Sequence, residues 1–201
     1  MTPTGEIVAA ELRGAWTGNR GILHRDQEIV RFHASDLWIT CLLAFRGRWR
    51  QQWQPGRYTH LFFHDEAVSF AAGHRPCAEC RRTDYTAYRD AWVAGLGGPV
   101  PSARDLDRRL HFERIVRGTH RRRLHPMPWD ELASGMFVMA ADGPVLVLDR
   151  SVVPWSVTGY RTARPRPTHG LADVITPPAT VAVLRAGYPV QIDASAGHAA
   201  G

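Results

Sequence analysis

Gly73-His74-Arg75-Pro76-Cys77-Ala78-Glu79-Cys80-Arg81-Arg82 is the most informative segment of this 201-residue chain. Its Cys-x-x-Cys spacing puts two thiols on one tight turn, where backbone amides and the adjacent arginines favour the thiolate form that a zinc ion requires. A redox-active dithiol is the alternative, but the intervening Ala78-Glu79 and the absence of a surrounding βαβ pattern argue against it. The segment therefore predicts a knuckle that binds one structural zinc ion.

The other zinc ligands must come from elsewhere, because a structural zinc ion has four. Cys41 is the only cysteine left, which makes it the third predicted ligand. With 3 cysteines in the chain, metal binding is a better explanation than a disulfide framework. The residues alone leave the fourth ligand open between an acidic residue, water and a histidine. The histidines before residue 95 are His24, His33, His60, His64 and His74.

The composition favours a polyanionic partner. The formal net charge is +6 and all 25 basic residues are arginine, whose planar guanidinium group suits phosphate and guanine edges. A GC-rich genome also enriches arginine, so the charge alone does not identify the partner. No stretch has the roughly 20 apolar residues of a membrane helix, and the N-terminus does not resemble a signal peptide. We therefore expect a cytoplasmic protein without a membrane partner.

Hydrophobic periodicity and turn residues predict an α+β fold. A Gly- and Pro-rich linker divides it into a zinc-binding region at 1–95 and a region at 103–193 packed on the first, followed by a flexible tail at 194–201. The predicted elements are strands at 37–45 and 58–63, helices at 66–72 and 84–94, a helix at 103–117 capped by Ser102, a hairpin around Asp142-Gly143, strands at 155–160 and a helix from Pro178 to Gly187.

The knuckle and the residues before it resemble a known family. The segment Leu61 to Arg81, with its paired aromatics, a helix of small residues and then Ala-Gly-His-Arg-Pro-Cys-Ala-Glu-Cys, is similar to the second half of the metal-binding domain of the Ada DNA-repair proteins. A related pattern occurs in small domains attached to secreted nucleases. The resemblance is confined to the N-terminal half of the chain. It implies a zinc site in an Ada-like domain and a role in DNA repair.

The same resemblance selects a fourth zinc ligand. The stretch Thr17 to Arg25 is similar to the Gly-Ile-aromatic-Cys-Arg stretch that carries the first Ada ligand, with His24 in the place of the cysteine. The resemblance thus implies the ligand set His24, Cys41, Cys77 and Cys80. Histidine cannot accept a methyl group as the Ada cysteine does, so methyl transfer is not implied.

A second metal pattern competes with this one. His64-Asp65-Glu66 followed by Pro76-Cys77-Ala78-Glu79-Cys80 matches the letters of the zinc nucleobase deaminases, in which histidine and two cysteines bind zinc and glutamate moves protons. In that fold, however, the two halves are separated by more structure than the short segment between Glu66 and Pro76 can hold.

Arginines near the knuckle and in a second cluster are predicted to contact DNA. The densest positive run is Gly118 to His125. Between residues 46 and 58, arginines are interleaved with aromatic residues. Such a segment can follow a nucleic-acid backbone through its arginines and stack its aromatic rings on unpaired bases. A solvated loop is the alternative. The predicted nucleic-acid contacts are Arg48, Arg50, Arg75, Arg81, Arg82, Arg121, Arg122 and Arg123.

One acidic residue is a candidate for catalysis. Glu113 falls on an apolar face of the predicted helix at 103–117, so it is either a paired core acid or a site residue with a raised pKa. With His111 it forms the predicted acid–base pair. The expected function is a zinc-stabilised DNA-binding protein in DNA repair or processing. The alternatives are a DNA-acting hydrolase, either a nuclease or a base-excision glycosylase, with Glu113 near its centre, and a protein-interaction module.

Overall fold

The computed structural model describes residues 1–47 and 51–198 and has the predicted α+β fold. Its helices are α1 Glu66–Ala71, α2 Arg82–Leu96, α3 Ala103–Arg114, α4 Pro178–Arg185 and α5 Ser195–His198. Its strands are β1 Trp16–Asn19, β2 His24–Arg25, β3 Glu28–Ile29, β4 Ile39–Cys41, β5 Leu61–Phe63, β6 Arg75–Pro76, β7 His125–Pro128, β8 Phe137–Ala140, β9 Gly143–Val147, β10 Ser151–Ser156, β11 Gly159–Tyr160, β12 Arg164–Pro165 and β13 Leu171–Val174. None of the helices in these ranges combines the length and the apolar character needed to cross a bilayer. The predicted DNA contacts Arg48 and Arg50 lie outside the described residues.

The strands form two main sheets. The N-terminal sheet has the order β5-β1-β4-β6, in which β4 and β6 are parallel and the other pairs are antiparallel. The larger sheet has the order β11-β10-β9-β8-β13-β7, with β12 paired to β10. The hairpin predicted at Asp142-Gly143 is confirmed as the β8–β9 connection. Strands β7 and β13 were not among the predicted elements.

Local capping residues mark the starts of α1 and α3. The side chain of Asp65 accepts a hydrogen bond from Val68 N at the start of α1, and Gly73 follows its end with φ +87°. Ser102 and Asp105 form a capping box on α3. The predicted C-terminus of α3 at Arg117 is wrong. The helix ends at Arg114 because Ile115 is extended and bridges to Arg122 across a turn.

Residues from both predicted regions share the same hydrophobic cores. One core combines Phe70, Tyr88 and Trp92 with Leu106 and Leu184 and other residues of the second region. The other packs Phe63, Val68 and their neighbours of the first region against β8–β10. Ala196 of α5 is buried in this second core.

Three arginines hold the C-terminal end of α1. Arg122 donates to Ala71 O, Arg20 to Ala72 O at 3.5 Å and Arg114 to Gly73 O at 3.0 Å. These carbonyl groups form the negative end of the helix and have no partner within it, so cations stabilise them. The guanidinium groups of Arg20 and Arg114 also lie 3.7 Å from the centre of the buried Trp38 ring, a cation–π geometry.

A buried ion pair ties the knuckle strand β6 to α3. Arg75 donates from Nε and Nη2 to the two carboxylate oxygens of Asp107, both at 2.8 Å, and its side chain is 2% exposed. The side chain also packs near the Tyr85 ring. Arg75 is therefore not available to a DNA backbone, and we remove it from the proposed contacts.

We expect Asp107→Asn to destabilise the protein by about 3–5 kcal/mol, because it leaves the buried Arg75 guanidinium without its charge partner. Urea unfolding measures the change. The matched control is Asp142→Asn, which breaks the exposed pair between Arg164 and Asp142, at 3.1 Å, and should cost less than about 1 kcal/mol. Equal effects of the two substitutions would contradict the assignment of Arg75–Asp107 as a structural pair.

Candidate metal centre

Parallel pairing of β4 and β6 brings Cys41 to Cys77. Ile39 pairs with Arg75 and Thr40 with Pro76, so the two cysteines follow at adjacent strand ends. The backbone N–H of Cys77 donates to Thr40 O at 2.9 Å, which continues the pairing up to the cysteine. Cys80 comes one turn later, directly before α2. The end of β4, the end of β6 and the turn before α2 therefore place one thiol each at the same point.

The three thiols form a donor set that fits a metal ion. The Sγ atoms of Cys41, Cys77 and Cys80 all lie within 4.8 Å of one another, and the cysteines are free. In the described part of the chain this is the only group of three or more such ligands. Ideal tetrahedral coordination with metal–sulfur bonds of about 2.3 Å places sulfurs about 3.8 Å apart. Small adjustments therefore suffice for all three to bind one ion.

The surroundings favour negative charge on Cys77. Its pKa is lowered because Cys41 and Cys80 donate hydrogen bonds to it. The pKa of Cys41 is raised by its hydrogen bonds to Cys77 and Cys80. The pKa of Cys80 is also raised, since its hydrogen bond from Cys41 is outweighed by the one to Cys77 and by burial. The backbone N–H of Glu79 also points at Cys77 Sγ, at 3.4 Å. The N-terminus of α2 follows at Arg82, and the positive end of a helix stabilises a nearby thiolate.

His24 is held away from the cysteines. Its Nδ1 lies 2.7 Å from Thr59 Oγ1, and its ring packs edge-on against Trp53 with the ring centroids 5.4 Å apart. Its ligand atoms do not belong to the cysteine group. The structure thus brings together three of the four predicted ligands and gives the fourth other partners.

A cavity of ≈ 440 Å³ opens next to the cysteines. Besides the three thiols it is lined by His60 and Glu79, which carry further potential ligand atoms, while His24 is not among the lining residues. His60 was one of the five candidate histidines. The sequence could not distinguish His60 from the other candidates, because its position near the cysteines depends on the three-dimensional course of the loop before β5. Any fourth protein ligand would come from this side of the site.

The structure gives the deaminase-like residues structural partners. His64 Nε2 lies 3.7 Å from Asp193 Oδ1, and Glu66, which is 1% exposed, accepts hydrogen bonds from Arg81 Nη2 at 2.5 Å and Tyr188 OH at 3.0 Å. Burial raises the pKa of Glu66, and the charge of Arg81 opposes that rise. Neither His64 nor Glu66 joins the cysteine group. Arg81 itself is 4% exposed, so we also remove it from the proposed DNA contacts.

The predicted acid–base pair is split between two environments. Glu113 is 4% exposed and accepts hydrogen bonds from Arg109 Nε and from Ala179 N, the latter at 2.8 Å, at the N-terminus of α4. It is thus a paired core acid that stabilises a helix end. His111 points to a different side of α3, where its Nδ1 lies 2.9 Å from Arg114 Nη2.

The predicted DNA contacts also divide into internal and surface residues. Arg122 donates to the carbonyl groups of Ala71 and Ile175, the latter at 2.8 Å, and is committed to them. Arg121 is exposed, and Arg123 is half-buried with its guanidinium group 5.1 Å from the Phe112 ring. The predicted contacts that remain accessible in the described residues are Arg82, Arg121 and Arg123.

Comparison with known proteins gives no relative. The chain matches no protein-family model, and no curated protein or solved structure is significantly similar to it.

We expect one metal ion per chain in the purified protein, measured by elemental analysis. Cys77→Ser should lose the ion, because Cys77 is the most buried of the three ligands and contacts the other two. His24→Ala should keep it, because His24 is bonded to Thr59. The metal content of His60→Ala and Glu79→Gln tests whether either of these cavity-lining residues is the fourth ligand.

A second ligand substitution, Cys80→Ser at the half-buried end of the knuckle, should weaken binding as Cys77→Ser does. Loss of the metal in His24→Ala, with the fold intact by circular dichroism, would contradict the geometry described above and support the ligand set implied by the Ada resemblance. A well-folded wild type without metal would rule out the site.

Proposed function

We propose that the protein holds one structural zinc ion and binds DNA through an arginine-rich face. Zinc is the best match to three thiolates, because thiolate ligands select soft or borderline ions and zinc accepts tetrahedral geometry without redox chemistry. Cys41, Cys77 and Cys80 would hold it, and its binding would fix β4, β6 and the start of α2 to one another. The metal contributes to folding in this proposal and takes no part in a reaction.

The observation that carries the DNA proposal is the loop at residues 115–123 and its surroundings. Two cavities meet there, and His120 lines both of them. Besides Arg122, which binds backbone carbonyl groups, five arginines that are exposed or half-buried line these cavities, against the acidic residues Glu6 and Asp36. The arginines are Arg31, Arg108, Arg117, Arg121 and Arg123. We call this surface the basic face. Arginines on such a surface can neutralise DNA phosphates and release the counterions condensed on the DNA, which is the main source of non-specific DNA affinity.

A role in DNA repair or processing rests on the resemblance of the knuckle to the Ada proteins. Three cysteines at one point support the metal-binding part of that resemblance. The hydrolase alternative had Glu113 at its centre, and both carboxylate oxygens of Glu113 have structural partners. We therefore do not carry the hydrolase forward. The protein-interaction module remains the alternative that the following experiment separates from DNA binding.

Binding to a DNA duplex should weaken steeply with salt, because each neutralised phosphate releases counterions. We expect Arg121→Gln to reduce the slope of log K against log salt concentration by about 1. Fluorescence anisotropy over a salt series measures this slope.

The matched control is Arg185→Gln, since Arg185 is half exposed but lies outside the basic face and pairs with Glu131 at 3.1 Å. It should leave the slope unchanged. Absence of duplex binding at low salt would overturn the DNA proposal and favour the protein-interaction module.

A further inference from the structure

A pocket on the basic face contains three histidines. It is a cavity of ≈ 560 Å³ between the second half of α3, the loop that follows it and the segment at residues 33–36. The residues on which its chemistry depends are His33, Asp36, Arg108, His111, His120 and Arg123. We call it the histidine pocket. It is separate from the cysteine cluster, with which it shares no lining residue.

The charge in the histidine pocket is unbalanced. Three arginines line it, namely Arg108, Arg117 and Arg123, and the acidic residue among its lining residues is Asp36. The Oδ1 atom of Asp36 lies 3.3 Å from His111 Nδ1. Three arginines therefore face one carboxylate, and arginine is the residue best suited to bind a phosphate group through paired N–H donors.

The histidines add neutral donors to these cations. Burial lowers the pKa of His33, and the nearby His111 and Arg114 lower it further. Burial and Arg114 also lower the pKa of His111, which Asp36 opposes in part. Both rings are therefore neutral at pH 7. His111 Nδ1 lies 2.9 Å from Arg114 Nη2, which can only donate, and 3.3 Å from Asp36 Oδ1, which can only accept. We assign Nδ1 as the acceptor of the shorter contact, which leaves the ring proton on Nε2 as a hydrogen-bond donor.

Two buried polar atoms of the pocket residues have no hydrogen-bond partner. They are His33 Nδ1 and Arg123 Nε, as far as the described residues show. Buried polar atoms are nearly always hydrogen-bonded, so a ligand with acceptor oxygens is a natural complement to a pocket lined by both residues.

The size of the histidine pocket suits the end of a nucleic-acid strand better than its interior. A cavity of ≈ 560 Å³ is of the size that encloses a small ligand and is too small for a duplex. Phe112 also lines it, is 68% exposed and offers a ring on which a base can stack, with the Arg123 guanidinium group 5.1 Å from the ring centroid. A terminal nucleotide can place its base on Phe112 and its phosphate among the histidines.

We propose that the histidine pocket binds a phosphate monoester at the end of a nucleic-acid strand. His111 Nε2–H, His33 and Arg123 would contact the phosphate oxygens, and Phe112 would carry the terminal base. This inference rests on the proposed nucleic-acid binding and adds an end-specific subsite to it. A terminal phosphate carries up to one more negative charge than an internal one. In this proposal, the pocket distinguishes the two by that difference in charge.

The test compares three versions of one internally labelled single-stranded oligonucleotide, which carry a 5′-phosphate, a 3′-phosphate or hydroxyl groups at both ends. Anisotropy at fixed salt should show about tenfold tighter binding of one phosphorylated version, the effect of one charge-assisted hydrogen bond. Arg123→Gln and His111→Gln should each reduce this preference to about twofold or less. Arg185→Gln should retain the full preference.

The outcomes separate the subsite from the proposed function. Equal affinity for all three oligonucleotides overturns the subsite and leaves DNA binding intact, whereas no binding of any oligonucleotide or duplex overturns both. Should a variant fail to fold, the wild type decides. Titration with a nucleoside monophosphate should shift the imidazole NMR signals of His33 and His111, while the nucleoside without phosphate should not. Unchanged signals would overturn the subsite.

Discussion

The end of α1 is the point on which the rest of the structure depends. A short helix would leave its last carbonyl groups unsatisfied in the interior, and guanidinium groups of Arg20, Arg114 and Arg122 bind the carbonyls of residues 71–73. These arginines come from the end of β1, the end of α3 and the loop after α3. The strand β6 and the knuckle follow directly after Gly73, so the contacts that close α1 also set where the cysteines begin. The segments before and after the linker are joined at this point.

The metal site adds a second constraint on the same segment. Cys41 and Cys77 are placed by the parallel pairing of β4 with β6, and Cys80 by the turn into α2. A metal ion bound there would cross-link a pairing that only two residue pairs define, and metal binding is then coupled to folding. Strands β4 and β6 do not lie at the centre of either hydrophobic core, because the larger sheet and helices α2–α4 supply most of the buried residues. A metal ion bound there would therefore stabilise the knuckle and its neighbours more than the fold as a whole.

The sequence alone predicted those features of the fold that depend on residues close together in the chain. Capping at Ser102, the Asp142-Gly143 turn and Pro178 at a helix start each act within a few residues, and all were predicted. Burial of single side chains was harder. Phe112 is exposed although the predicted helix was apolar on both sides, and β13 was missed although its residues alternate between exposed and buried. Both depend on which distant strand or helix packs alongside, and that information is not in the local pattern.

The arginines show most clearly why composition alone misleads. Arg20 and Arg114 are fully buried, so they enter the formal charge of +6 without contributing to the surface. Arg122 is half-buried, and its guanidinium group is engaged with backbone carbonyl groups. Arg75 is neutralised internally by Asp107. Sequence spacing cannot separate these from Arg121, because the partners lie far away in the chain. Among the described residues, four buried arginines are balanced by four buried acidic residues, Asp65, Glu66, Asp107 and Glu113. Burial therefore changes which arginines are accessible more than it changes the net charge, and a polyanion would be attracted by the local excess of arginine around residues 115–123. Net charge acts over the whole molecule, whereas recognition of phosphate requires guanidinium groups that are free to reorient toward it.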